Sequence, residues 1–203
     1  MGRTNEIFIY GANGHGKVVA DIIHACGFII GGWIDDDVTK NCLSWEDFCS
    51  LHVQAQIALG IGSNHIRCAI AKKIKTAGYI LPVLIHPTSV VSPSAFLKEG
   101  SVVMPLCVIN SGTCIGSGVI INSASIIEHD CSIGNYVHIS PNSSIAGNVT
   151  IGDNTHIGLA SSIIQGITIG EGSIIGAGAT VISNLPSYIT AVGTPAKIIK
   201  GIV

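Results

Sequence analysis

From Val90 onward the chain repeats every six residues without a lapse. The second residue of each hexad is Val91, Leu97, Val103 and Ile109, then isoleucine at every sixth position from 115 to 175, then Val181. All sixteen are aliphatic. Four residues after each stands a second column, from Ala95, Ser101 and Cys107 to Ser173, Ala179 and Leu185, mostly small or β-branched. Glycine often follows the aliphatic residue, as at 116, 134, 152, 158, 170 and 176, and is expected there to supply a positive-φ corner. A period of six with one large inward side chain predicts a parallel β-helix. A β-sandwich would need strands of irregular length.

The repeat explains an odd composition. Of 203 residues, 47% are hydrophobic and only 11% charged, against about 25% charged in an ordinary soluble chain. Residues 90–185 hold one base, Lys98, and five acids: Glu99, Glu128, Asp130, Asp153 and Glu171. Disorder is excluded, because a disordered chain is polar. Gly, Ser, Asn and Asp interrupt every apolar run before it reaches the roughly eighteen residues of a membrane span. The opening MGRTNEIFIYG has neither a signal-peptide core nor a cleavage site, so a cytoplasmic protein is expected. A net charge of −2 argues against nucleic acid. Seven cysteines without CxxC spacing argue against a disulfide scaffold or structural zinc, and most are expected to be small buried fillers.

Residues 1–86 read differently, as strands alternating with helices. IFIY (7–10) is a strand and GANGHG (11–16) a turn; a helix runs from Lys17 to Cys26 and a strand from Phe28 to Ile34. Ser44 caps a helix to His52, Gln56–Ile61 is a strand, Asn64 caps a helix to Ala77, and Ile80–Ile85 is a fourth strand. This alternation predicts a parallel sheet of half a nucleotide-binding fold. Gly11, Gly14 and Gly16 lie between strand and helix, where backbone N–H groups suit a phosphate or form a plain tight turn. The spacing is G-x-x-G-x-G, not the dinucleotide pattern. His15 sits in this loop. Asp35 and Asp36 end the second strand, where an acid meets a ribose or base, or is simply solvated. Gly62-Ser63-Asn64 ends the third strand, on the same crevice.

The repeat resembles the hexapeptide-repeat acyltransferases, whose left-handed β-helix takes three hexads per turn. The resemblance also supplies the handedness, since parallel crossovers are otherwise right-handed. Sixteen hexads then make five and a third turns. Residues eighteen apart are stacked: His138 with His156, His129 with Gly147, and Asn122 with Ser140 and Gly158. The one dense cluster of ionisable groups in the coil is Glu128-His129-Asp130. Histidine is the side chain suited to general base work near neutrality, and a neighbouring carboxylate holds its tautomer. Either Glu128 or Asp130 fits that role, and a solvated corner accounts for the same residues.

The whole chain is similar to the bacterial nucleotide-sugar N-acetyltransferases of the bacillosamine pathway, the PglD-like family. The similarity is carried by IFIYGANGHGK, LIHPTSVVSPSA, IIEHDCSIG followed by His138, AGNVTIG, and VGTPAKII. It implies an α/β Rossmann-like βαβ domain (1–86) for a UDP-linked amino sugar. A left-handed parallel β-helix (87–203) for acetyl-CoA would follow it. It implies a homotrimer with sites between subunits, His129 as base, and Asp130 beside it where some relatives carry Glu. Gly14, His15, Asp35, Asp36, Ser63, Asn64, Asn122 and His138 are the implied substrate contacts. Gly147 would offer a backbone N–H to the oxyanion, Gly158, Gly176 and Gly178 leave room for the pantetheine arm, and Lys197 meets the CoA phosphates. No metal, nucleic acid or membrane insertion is expected. The alternatives are another nucleotide amino sugar, O-acetylation of a sialic acid, or a non-catalytic coil in which His129, His138 and His156 hold zinc.

Overall fold

A computed structural model describes residues 5–201. The first region is a three-stranded parallel sheet of β1 (Glu6–Tyr10), β2 (Ile29–Ile34) and β3 (Gln56–Leu59), in the order β2-β1-β3. Helix α1 (Gly14–Ala25) connects β1 to β2, α2 (Trp45–Leu51) precedes β3, and α3 (Asn64–Thr76) follows it. Ile7, Phe8, Ile9 and Tyr10 of the central strand are all buried, as a parallel strand covered on both faces requires. Ser44 caps α2 as expected, accepting from the Asp47 amide.

Several boundaries differ from the sequence reading by a residue or two, and three differences have a visible cause. Helix α1 starts at Gly14 rather than Lys17, so His15 and Gly16 belong to its first turn. A side chain at Gly16 would collide with the Gly11 carbonyl oxygen, and its absence lets the helix begin early. The cap of α3 is Ser63, not Asn64, whose side chain instead reaches the coil. Ile80–Ile85 is not a strand of this sheet. Ile80 makes an isolated bridge to Gln56, and Leu84–Ile85 pairs with Val102–Val103 as the first strand of the coil. Pro82 stands between them and has no N–H for a ladder.

From Leu84 a two-residue strand recurs every six residues, stacked into three parallel sheets. The register is one turn per eighteen residues: His138 pairs with His156 and Ile139 with Ile157. The coil makes about six turns, more than expected, because the Leu84 strand precedes the repeat and Ile189–Val192 stacks on its last turn. Lys197–Gly201 folds back antiparallel along Ile189–Val192 and covers that edge of the sheet. Val19, Ile22 and Ile23 of α1 join one buried cluster with Val102 and Ile120, which occupy outward positions of the coil. The first region therefore sits on one face of the solenoid. Among the described residues no helix is long and apolar enough to cross a membrane.

From Val103 to Val181 the inward aliphatic column is buried throughout. The second column is buried too, and its polar members are satisfied. Ser101, Thr113, Ser125, Ser143 and Thr155 each donate to a carbonyl fifteen residues ahead, at 2.7–2.9 Å. The thiols of Cys107 and Cys131 do the same toward Asn122 and Ala146, at 3.1 and 3.2 Å. Those are the only buried cysteines of the seven. The expectation that most are buried fillers is thus corrected: four are half-buried, Cys114 is exposed, and the two inside act as hydrogen-bond donors.

The positive-φ corner also lies elsewhere than expected. It falls three residues after each inward aliphatic, from Gly100 through Asp130 to Gly178, with φ between 54° and 72°. The glycines at 116 and 134 answer a different need. A Cβ at Gly116 would lie 2.6 Å from the Gly134 carbonyl oxygen on the next turn.

Candidate active site

A crevice opens where β1 and β3 end. Gly11, at φ +108°, turns the chain from β1 toward α1, and a Cβ at Gly60 would lie 2.6 Å from the Gly11 carbonyl oxygen. Asp35 locks this turn. It accepts from the Ala12 amide at 2.8 Å, the Asp37 amide at 3.0 Å and Lys40 Nζ at 3.1 Å. Partial burial raises its carboxyl, but these hydrogen bonds and the Lys40 charge outweigh it and hold it below the usual range. Asp36 accepts from the Tyr10 hydroxyl at 2.7 Å and from Lys73 at 3.3 Å, and remains half exposed. A cavity of about 350 Å³ runs between Tyr10, His15, Asp35, Asp36, Ser63 and Ile66. Gly14 is exposed at the start of α1, with nothing near the place of its missing Cβ.

Beyond the crevice stands a row of histidines. The His15 ring is 6.5 Å from that of His138, which is 4.8 Å from that of His156. Asn122 Oδ1 accepts from the Ser123 amide at 2.8 Å, which turns its Nδ2 toward His138 Nε2 at 3.1 Å. With Asn122 donating, His138 Nε2 is the acceptor and its neutral ring carries the proton on Nδ1. His156 Nε2 contacts Ser140 Oγ at 3.1 Å. Burial pushes His138 down to about 3, assisted by His156, Arg67 and His15, against a hydrogen bond with the Gly62 backbone. Burial and then Arg67 lower His15 to about 4. His15 Nε2 is buried and finds no hydrogen-bond partner among the described residues. A second cavity, of about 610 Å³, lies against Ser63, Asn64, His138, Asn154 and His156.

His129 stands apart, at a corner between two other sheets. Asp130 is in the left-handed conformation, φ 59°, a geometry that Asp tolerates better than most residues. Its Oδ2 meets Nδ1 of His129 at 2.8 Å. Both side chains are more than half exposed. Glu128 is engaged elsewhere, accepting from Asn110 on the previous turn at 2.8 Å. Of the two acids, Asp130 is therefore the partner of His129. Gly147 lies under the imidazole, where a Cβ would be 2.7 Å from Cε1 and Nε2. The structure thus gathers His15, Asn122, His138, Ser63 and Asn64 in one place and His129, Asp130 and Gly147 in another.

Of the remaining candidates, Gly158 and Gly176 are filled by the coil itself. A Cβ there would meet Ile175 O at 2.5 Å and Val192 Cγ1 at 2.7 Å, respectively. Gly178, at φ +67°, faces open space, and Lys197 is exposed on the terminal strand. Among the described residues no group of three His, Cys, Asp or Glu is placed to hold a metal ion. The sequence reading missed Arg67 and the Tyr10–Lys73 pair. A signal for Arg67 existed: Asn64, Arg67, Ala71 and Ile74 form the buried stripe of α3, where a lone arginine is out of place.

This arrangement has known counterparts. The PglD N-terminal domain matches residues 6–74. The bacterial transferase hexapeptide and the hexapeptide repeat of succinyl-transferase match residues 130–158 and 148–183. PerB from Caulobacter crescentus, solved in complex with CoA and GDP-perosamine, is 35% identical with a TM-score of 0.92, over 96% of this chain and 97% of that one. The chain belongs to the PglD-like hexapeptide-repeat acetyltransferases. As a PglD-like protein it has the Rossmann-like region followed by the left-handed β-helix. A PglD-like neighbour, the acetyltransferase domain of PglB from Neisseria gonorrhoeae in complex with acetyl coenzyme A, is 37% identical. Its TM-score is 0.91, over 97% of this chain and 100% of that one. The UDP-N-acetylbacillosamine N-acetyltransferase of Bacillus subtilis is 33% identical over 110 residues, and the match spans 51% of that relative, about half its length.

Proposed function

We propose that the protein transfers the acetyl group of acetyl-CoA to the 4-amino group of a UDP-linked amino sugar, giving a UDP-N-acetylbacillosamine-type product. Acetyl transfer to a nucleotide amino sugar is carried by the match to PerB along nearly the whole of both chains, together with a His–Asp pair on a coil with few other charges, and the Bacillus subtilis relative favours the UDP-linked sugar. Residues 1–86 would hold the nucleotide sugar through Gly14, His15, Asp35, Asp36, Ser63 and Asn64. Residues 87–203 would hold acetyl-CoA. The neutral amine attacks the thioester carbonyl, whose π electrons move onto oxygen. Asp130 accepts from Nδ1–H of His129, which leaves the Nε2 lone pair to take the proton from the amine. A backbone N–H at Gly147 faces the developing oxyanion. Collapse expels the thiolate of CoA, which the proton neutralises.

His129 on one edge and His138 with Asn122 on another do not form a single site within one chain. A homotrimer would bring one subunit's His129 edge to the neighbour's His138 face and run acetyl-CoA between them, past the open corner at Gly178 toward Lys197. We place the enzyme in the cytoplasm. A GDP-linked acceptor is the second reading, favoured by the fuller match to PerB than to the UDP-sugar relative.

The test is acetyl-CoA offered with UDP-4-amino, GDP-4-amino and CMP-sialic acceptors, scored by free thiol released. Acetylation of the UDP sugar is expected, and no acetylation of any acceptor would sink the proposal. His129→Ala is expected to lower turnover at least about a hundredfold. Near wild-type turnover would remove His129 as the base.

A further inference from the structure

Gly62 and Ser63 line both cavities, the nucleotide crevice and the chamber at His138 and His156. The turn they form is the wall between the two, and Arg67 fixes it in place. The Arg67 side chain is 1% exposed and lies among carbonyls, not carboxylates. Its Nε donates to Gly118 O at 2.7 Å. Nη1 donates to Gly62 O at 2.9 Å and Ile61 O at 3.3 Å. Nη2 donates to Asn64 Oδ1 at 2.9 Å, Tyr136 O at 2.8 Å and Val137 O at 3.3 Å. Half of these acceptors belong to the turn and half to the solenoid. Asn64 adds a second tie, its Nδ2 donating to Asn154 O at 2.9 Å. Burying a charge without a counter-charge costs more than apolar packing would, so stability alone does not account for an arginine here. A rigid planar fork with five donors does account for it, because it alone reaches carbonyls on two separate elements at once.

We propose that Arg67 is a positioning residue. It locks the Gly62–Asn64 turn to the solenoid turns at Gly118 and Tyr136–Val137. It thereby sets where the nucleotide crevice stands against His138. What that alignment serves rests on the acetyltransfer reading; the lock itself does not. The charge of the guanidinium also adds to burial in lowering His15, His138 and His156, which favours their neutral forms. Neutral rings each offer a sugar a donor and an acceptor, where charged rings would offer donors only.

The test compares Arg67→Lys, which keeps the charge and loses the fork, with Arg67→Met, which loses both. In each, the KM for the nucleotide sugar is expected to rise about tenfold or more, while the KM for acetyl-CoA moves less than about twofold. NMR titration without substrate is expected to show His138 shifting toward an ordinary histidine in the Met variant but not in the Lys variant. A merely structural arginine would lower the melting temperature and leave the two KM values changed alike or not at all. Wild-type KM values in Arg67→Lys would overturn the proposal. If neither variant folds, the wild-type protein decides. Slow solvent exchange of the Arg67 Nε–H supports the lock, and exchange as fast as in free arginine overturns it. The NMR readouts need no turnover. Failure to acetylate any sugar would therefore count against the functional reading alone.

Discussion

At the scale of single residues, Gly147 gives a sharp test of the His129 corner. A methyl group there would occupy the space of the imidazole edge, 2.7 Å from Nε2. The ring is exposed and free to swing away, so Gly147→Ala is expected to leave the melting temperature nearly unchanged. Turnover should fall about tenfold or more, because displacement of a catalytic group by a fraction of an ångström is felt in the rate. Unchanged turnover would show that the ring does not work from this position. His15 and His138 make a second prediction, about pH. Both are held below the ordinary histidine value, to about 4 and about 3. Between those values and about 6.5 the unfolded chain binds protons that the folded chain does not. Stability should therefore fall as pH drops through that window, by up to about 1.4 kcal/mol per pH unit for each ring. Thermal melts from pH 7 to 4.5 should show the loss, and His138→Gln should make it shallower. His129 was legible in sequence because charge is scarce around it. The choice of Asp130 over Glu128 was not, since it depends on a backbone angle. Arg67 stood out on the buried stripe of α3, but what it binds was hidden, because five of its six acceptors are main-chain carbonyls, which every residue carries.

At the scale of elements, the coil has two separate rules at its corners. One position needs a left-handed backbone, and Gly, Asn and Asp fill most of it. The other needs the absence of a Cβ, because the next turn passes too close. The repeat displayed both as recurrent glycine, and a one-letter pattern does not separate them. Their distinction predicts a stabilising change. Ala160 is exposed and sits at φ 54°, while Asn occupies the equivalent corner at 142, 148 and 154. Ala160→Asn should raise stability by on the order of 1 kcal/mol, read as a higher denaturation midpoint. A lower midpoint would contradict this account of the corners. The strands of the first region were legible from their apolar runs, except the last. Ile80–Ile85 has strand composition at both ends, but Pro82 divides it between two sheets.

At the scale of the molecule, the scarcity of charge acquires a location and a consequence. Outward positions of the coil carry exposed Val90, Phe96, Ile126 and Ile174. These are the residues a subunit contact would cover. Light scattering of the purified protein should give about three times the chain mass of 20.9 kDa, and a stable monomer would refute the shared site. The two-part plan was readable from composition alone. The joint between the parts was not, because its polar share is Arg67 and Asn64 bound to main-chain carbonyls, beside the apolar contact of α1 with the coil.

The eighteen-residue register of the solenoid has one more consequence. Its length comes in steps. Six residues inserted into the coil would rotate everything downstream onto the next face, separating the terminal hairpin from the column it covers. Eighteen would lift the hairpin by about 4.8 Å and leave every face where it was. The distance from the His129 corner to the end of the coil is thus adjustable only in whole turns, so the prism works as a gauge with fixed graduations.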